Sequence, residues 1–387
     1  MRQETGIENG HRPIRILHIT FNIVFGGTEQ VIRQLVTNLP AEKFSNQVLC
    51  IDGHVGEIVE QIAEHGIRVF SLKRTPGFDW QLARQIRKEI RKQNVDIVHC
   101  HQYTPWVYGW LARIGTSAKV VFTEHGRFHP DRYRFKAALI NPIMALTTDS
   151  IIAISNATKQ ALRRYEFLPG SKIKVIYNGI VGLKRDKETR EQVRAELGIS
   201  KNATVLGTVA RLDPVKNQAM MIEAFADILN IHQDSWLLLV GDGPDREMLE
   251  RRSCELRVDH RVILTGFKAE PLGYLCAMDI FLLTSHSEGA SMTLLETMSL
   301  GIPSVVTSVG GNPEIIEHDV TGMLAPSGDV QMFSDAIQYL LNHRDFANEM
   351  GRRAKDVFHR QFSVEKMLNA DVIQYRFLAN NMIQQQK

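Results

Sequence analysis

The chain has 387 residues, enough for two domains of ordinary size, and its 44% hydrophobic and 23% charged residues are typical of a soluble globular protein. The four cysteines lie far apart and form no CxxC pair, which argues against a disulfide scaffold. No apolar run approaches the ~20 residues of a membrane span, which argues against an integral membrane protein. Up to residue 182 there are 24 Lys/Arg and 15 Asp/Glu, whereas the remainder has 22 and 28. The basic first half predicts an anionic partner, such as a phosphorylated acceptor or a membrane surface, although scattered solubilising charge explains it equally well.

The first residues, "MRQETGIENGHRP", are polar and run directly into an apolar segment. They lack the apolar core and the small-residue cleavage site of a signal peptide. We therefore expect a cytoplasmic protein that is at most peripheral to the inner face of the membrane.

Along the first half, short apolar runs typical of strands alternate with glycine or proline and then with helical periodicity. Helices are predicted from Thr28 and over residues 56–64 and 80–94. The predicted strands cover residues 14–20, 46–52, 68–72, 96–101, 119–125, 150–155 and 172–180.

The second half repeats this alternation, with helices predicted at 217–229 and 245–256 and strands at 203–211, 236–243, 261–267, 279–285 and 303–308. Continuous apolar strands that alternate with helices indicate parallel sheets covered on both faces. The predicted fold class is α/β, with two Rossmann-like doubly wound domains at residues 1–182 and 183–362. The amphipathic helix predicted beyond them, within residues 363–387, either packs back on the first domain or lies on the surface.

In such sheets, ligands bind beyond the carboxyl ends of the strands, so the loop "HSEGA" after the strand at 279–285 is informative. Ser291 is suited to cap the next helix, and the first N–H groups of that helix, from Met292 to Leu294, form a seat for a phosphate. Glu288 precedes this seat and Glu296 follows it by one turn. A glutamate on each side of a helix start matches a ligand in which a diphosphate joins a sugar to a nucleoside. An isolated pair of glutamates with this spacing is, however, usually surface charge.

Further residues after strands of the second half support this interpretation. Arg211 and Lys216 flank the loop "ARLDPVKN", where two cations suit a diphosphate. Gly241 lies in a tight turn, "GDGPDRE", and the backbone of Phe267 in "TGF" is placed to meet a base. The pair Gly310-Gly311 lets backbone N–H groups approach an anion.

In the first half, Gly26 and Gly27 follow the first strand and allow close approach of a ligand. His125, beside a glycine at a strand end, is a candidate for contacting a substrate hydroxyl, although a lone histidine is more often structural. His99 and His101 share one face of a strand, but a third metal ligand is not local, and we predict no metal.

Two basic clusters are candidates for contact with an anionic membrane. One is "RFHPDRYRFK" at 127–136, which mixes cations with aromatic residues, and the other is the helix around 84–92, with five cations against Glu89. A solvated helix face is the commoner explanation for the second cluster. Nucleic acid is not expected, because no recognised motif accompanies the charge.

The motifs "FGGTEQVIRQL", "DIVHCH", "ISNATKQAL", "VIYNGI", "TVARLDPVKNQAMMIEAF", "EGASMTLLE", "GIPSVVTSVGGNPEII" and "GMLAPSGD" follow one another in the chain. In this order they resemble the retaining glycosyltransferases of family four, which have the GT-B fold, over about residues 14–378. The resemblance implies two Rossmann-like domains facing across a cleft, with the donor held mainly by the second.

Carried over by motif, the resemblance assigns roles in a nucleotide diphosphate sugar site without a further cofactor. Arg211 and Lys216 would hold the diphosphate, Glu296 the ribose and Glu288 the donor sugar, with His125 near the sugar ring. Gly26 and Gly27 would border the phosphate and the acceptor. The other implied donor contacts are Gly241, Phe267, Gly289, Ala290, Ser291, Thr293 and Leu294.

The expected reaction is transfer of a sugar to a hydroxyl of a glycan or a lipid-linked acceptor, with retention at the anomeric carbon. We expect the donor to be a UDP-sugar and the setting to be bacterial exopolysaccharide or surface glycan synthesis. The sequence leaves open a nucleotide-sugar epimerase of the same fold and a non-catalytic nucleotide-sugar binding protein. A Rossmann dehydrogenase is a third alternative.

Overall fold

The computed structural model describes residues 12–24, 26–54, 56, 58–126 and 133–385. The chain divides into two compact units. The first contains residues 1–124, 139–152 and 368–387, and the second contains residues 125–138 and 153–367. The domain boundary at residue 182 stays a prediction. In the described part of the chain, no helix combines the length and the apolar composition needed to cross a membrane.

The first sheet has seven strands in the order β3-β2-β1-β4-β5-β6-β7. The strand pairs β1–β2, β2–β3, β1–β4 and β4–β5 are parallel. The strands are Ile14–Thr20 (β1), Phe44–Cys50 (β2), Arg68–Ser71 (β3), Ile97–His101 (β4), Lys119–Glu124 (β5), Ser150–Ala153 (β6) and Ile173–Val175 (β7). The helices between them are Gly27–Asn38 (α1), Ile58–Ala63 (α2), Trp80–Lys92 (α3), Tyr103–Ala112 (α4), Ile140–Thr147 (α5) and Asn156–Tyr165 (α6).

The second sheet has six strands in the order β10-β9-β8-β11-β12-β13, all parallel. Its strands are Thr204–Val209 (β8), Ser235–Val240 (β9), Val262–Leu264 (β10), Ile280–Leu283 (β11), Ser304–Thr307 (β12) and Met323–Ala325 (β13). Its helices are Lys187–Glu196 (α7), Gln218–Ile231 (α8), Arg246–Glu255 (α9), Leu272–Ala277 (α10), Met292–Leu300 (α11), Asn312–Ile315 (α12), Val330–Asn342 (α13) and Arg344–Val357 (α14). A last helix, Val364–Gln385 (α15), follows.

The strands of the second sheet are apolar because both of their faces are buried. Along β11, Ile280 and Leu282 pack into one hydrophobic cluster, whereas Phe281 and Leu283 pack into another. Helices therefore cover the sheet on both sides, as successive side chains of a strand point to opposite faces. The predicted α/β class with two Rossmann-like doubly wound sheets is confirmed.

Several predicted elements differ from the observed ones. The strand predicted at 172–180 is only three residues long. Helix α7, whose N-cap Asp186 accepts from the N–H of Thr189, lies in a charged segment where no element was predicted. The sixth strand of the second sheet, β13, was not predicted, because "MLA" is too short to show a period.

Helix α15 contacts the first sheet through Tyr375, which is fully buried. Its hydroxyl lies 2.7 Å from Nδ1 of His99, and its ring lies 6.0 Å from that of Phe44. Residues from 368 onward therefore belong to the compact unit of the first sheet.

Candidate active site

Strands β8 and β11 lie side by side at the point where the strand order of the second sheet reverses. Such a switch point is where open α/β sheets bind ligands, because the loops leaving the two strands diverge there. The loops after Val209 and Leu283 are tied together: the N–H of His286 donates to the carbonyl of Val215 at 2.8 Å, and Thr284 Oγ1 donates to that of Asn217 at 2.8 Å. The sheet thus brings two predicted site segments to one edge.

Lys216 and Glu288 meet at this edge. Nζ of Lys216 lies 2.6 Å from Oε1 of Glu288, and Ser285 Oγ donates to the same oxygen at 2.6 Å. The Glu288 side chain is only 7% exposed and that of Lys216 is 25% exposed. The carboxylate is therefore fixed by two partners, and Ser285, which sequence reasoning missed, is one of them.

Glycines hold the loop around Glu288 in place. A Cβ on Gly310 would overlap the carbonyl oxygen of Glu288, and one on Gly311 would overlap that of Gly289. Gly310 also has a φ of +52°. The N–H of Gly311 donates to the carbonyl of Glu288 at 3.1 Å. The glycine pair predicted to approach an anion therefore packs against the backbone of the Glu288 loop, which only residues without a side chain can do here.

Helix α11 begins directly after this loop. Ser291 caps it by accepting from the N–H of Leu294 at 3.3 Å, so this amide of the predicted phosphate seat is already engaged. Thr293 Oγ1 donates to the carbonyl of Val209, which joins the helix start to the end of β8. Ala290 and Glu296 are half-buried, before the helix and one turn into it. The helix start, with its positive dipole end, lies at the switch point, and its role as an anion seat stays a prediction.

Arg211, Gly241 and Phe267 follow three other strand ends of this sheet. The Arg211 side chain is 71% exposed, with Nε 3.8 Å from Oδ2 of Asp213. Gly241 donates its N–H to the carbonyl of Gly266, and a Cβ there would overlap the carbonyl of Ala210. Phe267 is 54% exposed. The Gly241 turn thus serves close packing of neighbouring loops, whereas Arg211 and Phe267 present accessible side chains.

His125 belongs to the same compact unit as Glu288. Burial lowers the pKa of its imidazole to about 3, because desolvation disfavours the charged form. The ring is therefore neutral at physiological pH. A Cβ on Gly289 would lie 2.8 Å from the carbonyl oxygen of His125, so the backbones of the two predicted site residues are close.

A cavity of about 480 Å³ opens beside Glu288. One wall comes from the loops at 286–289 and 309–310, and another comes from helix α6, which sequence reasoning did not connect to the site. The α6 residues lining the cavity are Ala157, Thr158, Gln160, Ala161, Arg164 and Tyr165. The sequence feature that could have identified this helix is the capping serine in "ISNATKQAL", because Ser155 Oγ accepts from the N–H of Thr158.

Glu314 fixes the start of α6. Its carboxylate accepts from the backbone N–H groups of Asn156 and Ala157, both at 2.7 Å, and from the hydroxyl of Tyr177 at 2.9 Å. Burial, followed by the bond to Glu314, raises the pKa of Tyr177 to about 12. The motif "GGNPEII" thus contains the acid that caps α6, Glu314, whereas the sequence analysis considered only its glycines.

Gly26 and Gly27 lie in the first compact unit, at the start of α1. A Cβ on Gly26 would overlap the carboxylate of Glu29. Their predicted contact with phosphate and acceptor stays a prediction. In the first basic cluster, Arg127, Phe128 and Arg132 lie outside the described residues.

The two histidines considered for a metal have a third beside them, from a neighbouring strand. Ring nitrogens of His18, His99 and His101 lie within 4.8 Å of one another. Neutral rings satisfy this geometry: His18 Nε2 lies 3.3 Å from Asn46 Oδ1, and His18 Nδ1 lies 3.1 Å from His101 Nε2. Nδ1 of His99 lies 2.7 Å from the hydroxyl of Tyr375, and its Nε2 lies 2.7 Å from the hydroxyl of Thr123. Hydrogen bonds therefore connect the three rings to their neighbours, and the expected absence of a metal stays a prediction.

Two family models match successive parts of the chain. The family model for "Glycosyltransferase Family 4" matches residues 25–181, and the model for "Glycosyl transferases group 1" matches residues 189–357. In succession they cover most of the chain.

Two curated relatives are similar over most of their length. The N-acetyl-alpha-D-glucosaminyl L-malate synthase of Bacillus anthracis is 29% identical over 81% of this chain and 84% of its own. The UDP-Gal:alpha-D-GlcNAc-diphosphoundecaprenol alpha-1,3-galactosyltransferase of Escherichia coli is 26% identical over 94% of this chain and 97% of its own.

Solved structures share the fold. A glycosyltransferase from Rickettsia africae has a TM-score of 0.84 at 20% identity, covering 96% of this chain and all of its own. Anabaena HepE in complex with UDP and glucose has a TM-score of 0.82 at 23% identity, covering 93% of this chain and 98% of its own. With the two family models matched in order, the chain belongs to glycosyltransferase family 4, has the GT-B fold, and acts on nucleotide sugars.

Proposed function

We propose that the protein transfers a sugar from a UDP-sugar to a hydroxyl of a glycan or lipid-linked acceptor, with the anomeric configuration retained. The observation that carries the proposal is the Lys216–Glu288 ion pair beside the start of α11 at the switch point of the second sheet. The Escherichia coli relative is named for UDP-Gal and for a GlcNAc-diphosphoundecaprenol, and HepE has a crystal structure in complex with UDP-glucose. These favour a uridine donor and a lipid-linked acceptor for this chain.

The site residues suit the departure of a diphosphate. As the bond between the anomeric carbon and the phosphate oxygen breaks, negative charge grows on the leaving group. Lys216, the exposed Arg211 and the first amides of α11 would stabilise that charge. Lys216 would then exchange part of its contact with Glu288 for the phosphate, which frees the carboxylate to accept from sugar hydroxyls. Glu296, one turn further along α11, would accept from the ribose.

Retention follows if the acceptor hydroxyl attacks from the face that the diphosphate leaves. The new bond joins the acceptor oxygen to the anomeric carbon, the bond to the phosphate oxygen breaks, and the acceptor proton passes to the departing phosphate. His125 suits this step because a neutral imidazole does not repel the developing oxocarbenium ion, whereas an imidazolium would. The proposed setting is bacterial exopolysaccharide or surface glycan synthesis at the cytoplasmic face of the membrane.

A thermal-shift screen with UDP-, GDP- and ADP-sugars tests the donor. A ligand that binds only the folded state stabilises it by ~2.7 kcal/mol at a hundredfold excess over its Kd, so UDP-sugars should raise the Tm most. Transfer to a lipid-linked acceptor, followed by NMR of the anomeric proton, then reads the configuration. A larger shift with another base contradicts the uridine donor, and an inverted product contradicts retention. Turnover of the donor without any acceptor would instead favour the epimerase.

A further inference from the structure

Helices α3, α4 and α5 cover one face of the first sheet. On β4, Cys100 and Val98 point to α4, where a Cβ on Gly109 would overlap the Cys100 sulfur and lie 3.2 Å from Val98. The intervening His99 points the other way, to Tyr375 of α15. The outer side of this three-helix layer is therefore opposite to the face that α15 covers.

Helix α5 is apolar on its outer side as well as on its inner side. Met144 and Ala145 are buried, whereas Leu139, Ile140, Ile143 and Leu146 are between 54% and 83% exposed. Spacings of three and four residues place the exposed side chains on one stripe. Single exposed apolar residues are normal, but a stripe along a whole helix marks an interaction site.

Helix α3, in the same layer, is basic on its outer side. Arg84, Lys88 and Lys92, spaced four residues apart, are exposed and form no ion pair with any residue that the structure describes. Arg87 lies between this row and α4, where it donates to the carbonyls of Leu111 and Ala112 at the end of α4. The cations of the row are thus available to an external anion.

Helix α4 joins the two surfaces. Trp110 Nε1 donates to Thr147 Oγ1 at the end of α5, at 2.8 Å. At the other border, the exposed Phe78 stacks on Tyr108 with ring centroids 5.7 Å apart and packs edge-on against the exposed Trp80. A basic row, aromatic rings and an apolar stripe therefore form one continuous face of the first unit.

We propose that this face, the α3–α5 surface (residues 78–92, 110–114 and 139–147), binds a bilayer that contains anionic lipids. Apolar side chains enter the acyl boundary, Trp rings suit the headgroup level, and unpaired cations meet lipid phosphates. A second copy of the chain is the weaker match, because pairing this face with itself gives the cations no opposite charge. The contact would serve the proposed lipid-linked acceptor, but it does not depend on the donor or on catalysis.

The test is co-sedimentation of the full chain with vesicles of phosphatidylcholine, with and without phosphatidylglycerol. We expect binding that requires phosphatidylglycerol and weakens with salt. The double variant Arg84→Gln/Lys88→Gln should lower the partition coefficient ~5-fold per charge. Ile143→Ser/Leu146→Ser should lower it about 10-fold or more.

Matched controls lie away from the face. Ile373→Ser removes an equally exposed apolar side chain from α15, and Arg251→Gln/Lys366→Gln removes two exposed cations from the second unit. Both should bind like the unaltered protein. Absence of binding to phosphatidylglycerol vesicles, or equal losses in the controls, overturns the proposal. The proposal is also overturned if the unaltered protein forms a concentration-dependent dimer that the Ile143→Ser/Leu146→Ser variant does not form. Transfer to a water-soluble acceptor, measured alongside, reports separately on the proposed function.

Discussion

Lys216 and Glu288 are far apart in sequence, yet their side chains meet at 2.6 Å because β8 and β11 are neighbours in the sheet. The carboxylate is nearly buried, so its charge depends on Lys216 and on Ser285 Oγ. A buried charge that loses its partner is costly, and a cation at a departing diphosphate is worth as much as an oxyanion-hole donor. We therefore expect both function and local order at this site to depend on the same ammonium group.

We expect Lys216→Ala to lose at least ~2 kcal/mol of transition-state stabilisation, a fall of about 30-fold or more in kcat/KM. Glu288→Gln, which keeps the shape and removes the charge, should lose a similar amount. Steady-state transfer from the donor identified by thermal shift measures both. Arg251→Ala, an exposed cation of the same unit, is the control and should be near normal. Near-normal turnover of both site variants would refute the assignment.

The sequence predicts which residues belong to the candidate site better than it predicts which residues they contact. The spacing of Glu288 and Ser291 around a helix start is local, so it was visible. Ser285 and Glu314 were not, because a serine after a strand or an acid on a short helix is ordinary until the topology brings its partner to it. The packing of Gly310 and Gly311 against the backbone of residues 288–289 was not visible either, because those residues are more than 20 positions away in the sequence, and their approach to an anion stays a prediction.

Helix α6 is an element whose position depends on one acid from elsewhere. Glu314 accepts from the N–H groups of Asn156 and Ala157, at the end where the helix dipole favours negative charge. The following turns line the cavity beside Glu288. Loosening this start should therefore affect both the order of the helix and the shape of the cavity that it lines.

For Glu314→Ala we expect a loss of about 1–2 kcal/mol of local stability, since N-cap acceptors are worth that much. Hydrogen exchange in a peptide covering residues 153–165 should accelerate about 5- to 30-fold. Glu314→Gln keeps one acceptor oxygen and should fall between the two proteins. Glu317→Ala, an exposed acid nearby, is the control. Unchanged exchange in Glu314→Ala would show that α6 does not depend on this cap.

Several elements with a long or strongly apolar pattern were predicted, although the long helices α13 and α14 were not. Strand β9 contains a continuous apolar run from Trp236 to Val240, and α3 alternates buried and basic positions over 13 residues. Helix α5 escaped prediction because it is apolar on both sides and shows no amphipathic period. That property is also what leaves its outer stripe exposed.

Over the whole molecule, the alternation of elements predicted two doubly wound sheets, but it could not show which polar side chains the folds would bury. His18, His99 and His101 come from two neighbouring strands and share one buried network. Burial lowers the pKa of His18 to about 4. The unfolded chain binds this proton more readily, so stability falls as the pH drops from about 6.5 towards 4.

Asp371 of α15 has the opposite effect on the same unit. It is fully buried, and desolvation raises the pKa of its carboxyl from 3.8 to about 7. Its charge would also face the Tyr375 hydroxyl, whose pKa is raised by burial and then by Asp371. The fold keeps a proton that the unfolded chain releases, so stability falls as the pH rises from about 4 to about 7 and then levels off. At ~1.4 kcal/mol per pKa unit, the total approaches ~4 kcal/mol.

Asp371→Asn removes this ionisation and keeps the shape of the side chain. We expect its apparent Tm to exceed that of the unaltered protein by an amount that grows between pH 4 and pH 7 and is constant above, as measured by thermal melts across that range. The slope with pH is diagnostic, because a change in packing alone would shift the Tm equally at every pH. Asp227→Asn, in helix α8 of the second unit, controls for loss of a carboxylate and should leave the slope as it is. Parallel curves for Asp371→Asn and the unaltered protein would mean that Asp371 is already ionised in the fold, with a cation or solvent close enough to hold its charge.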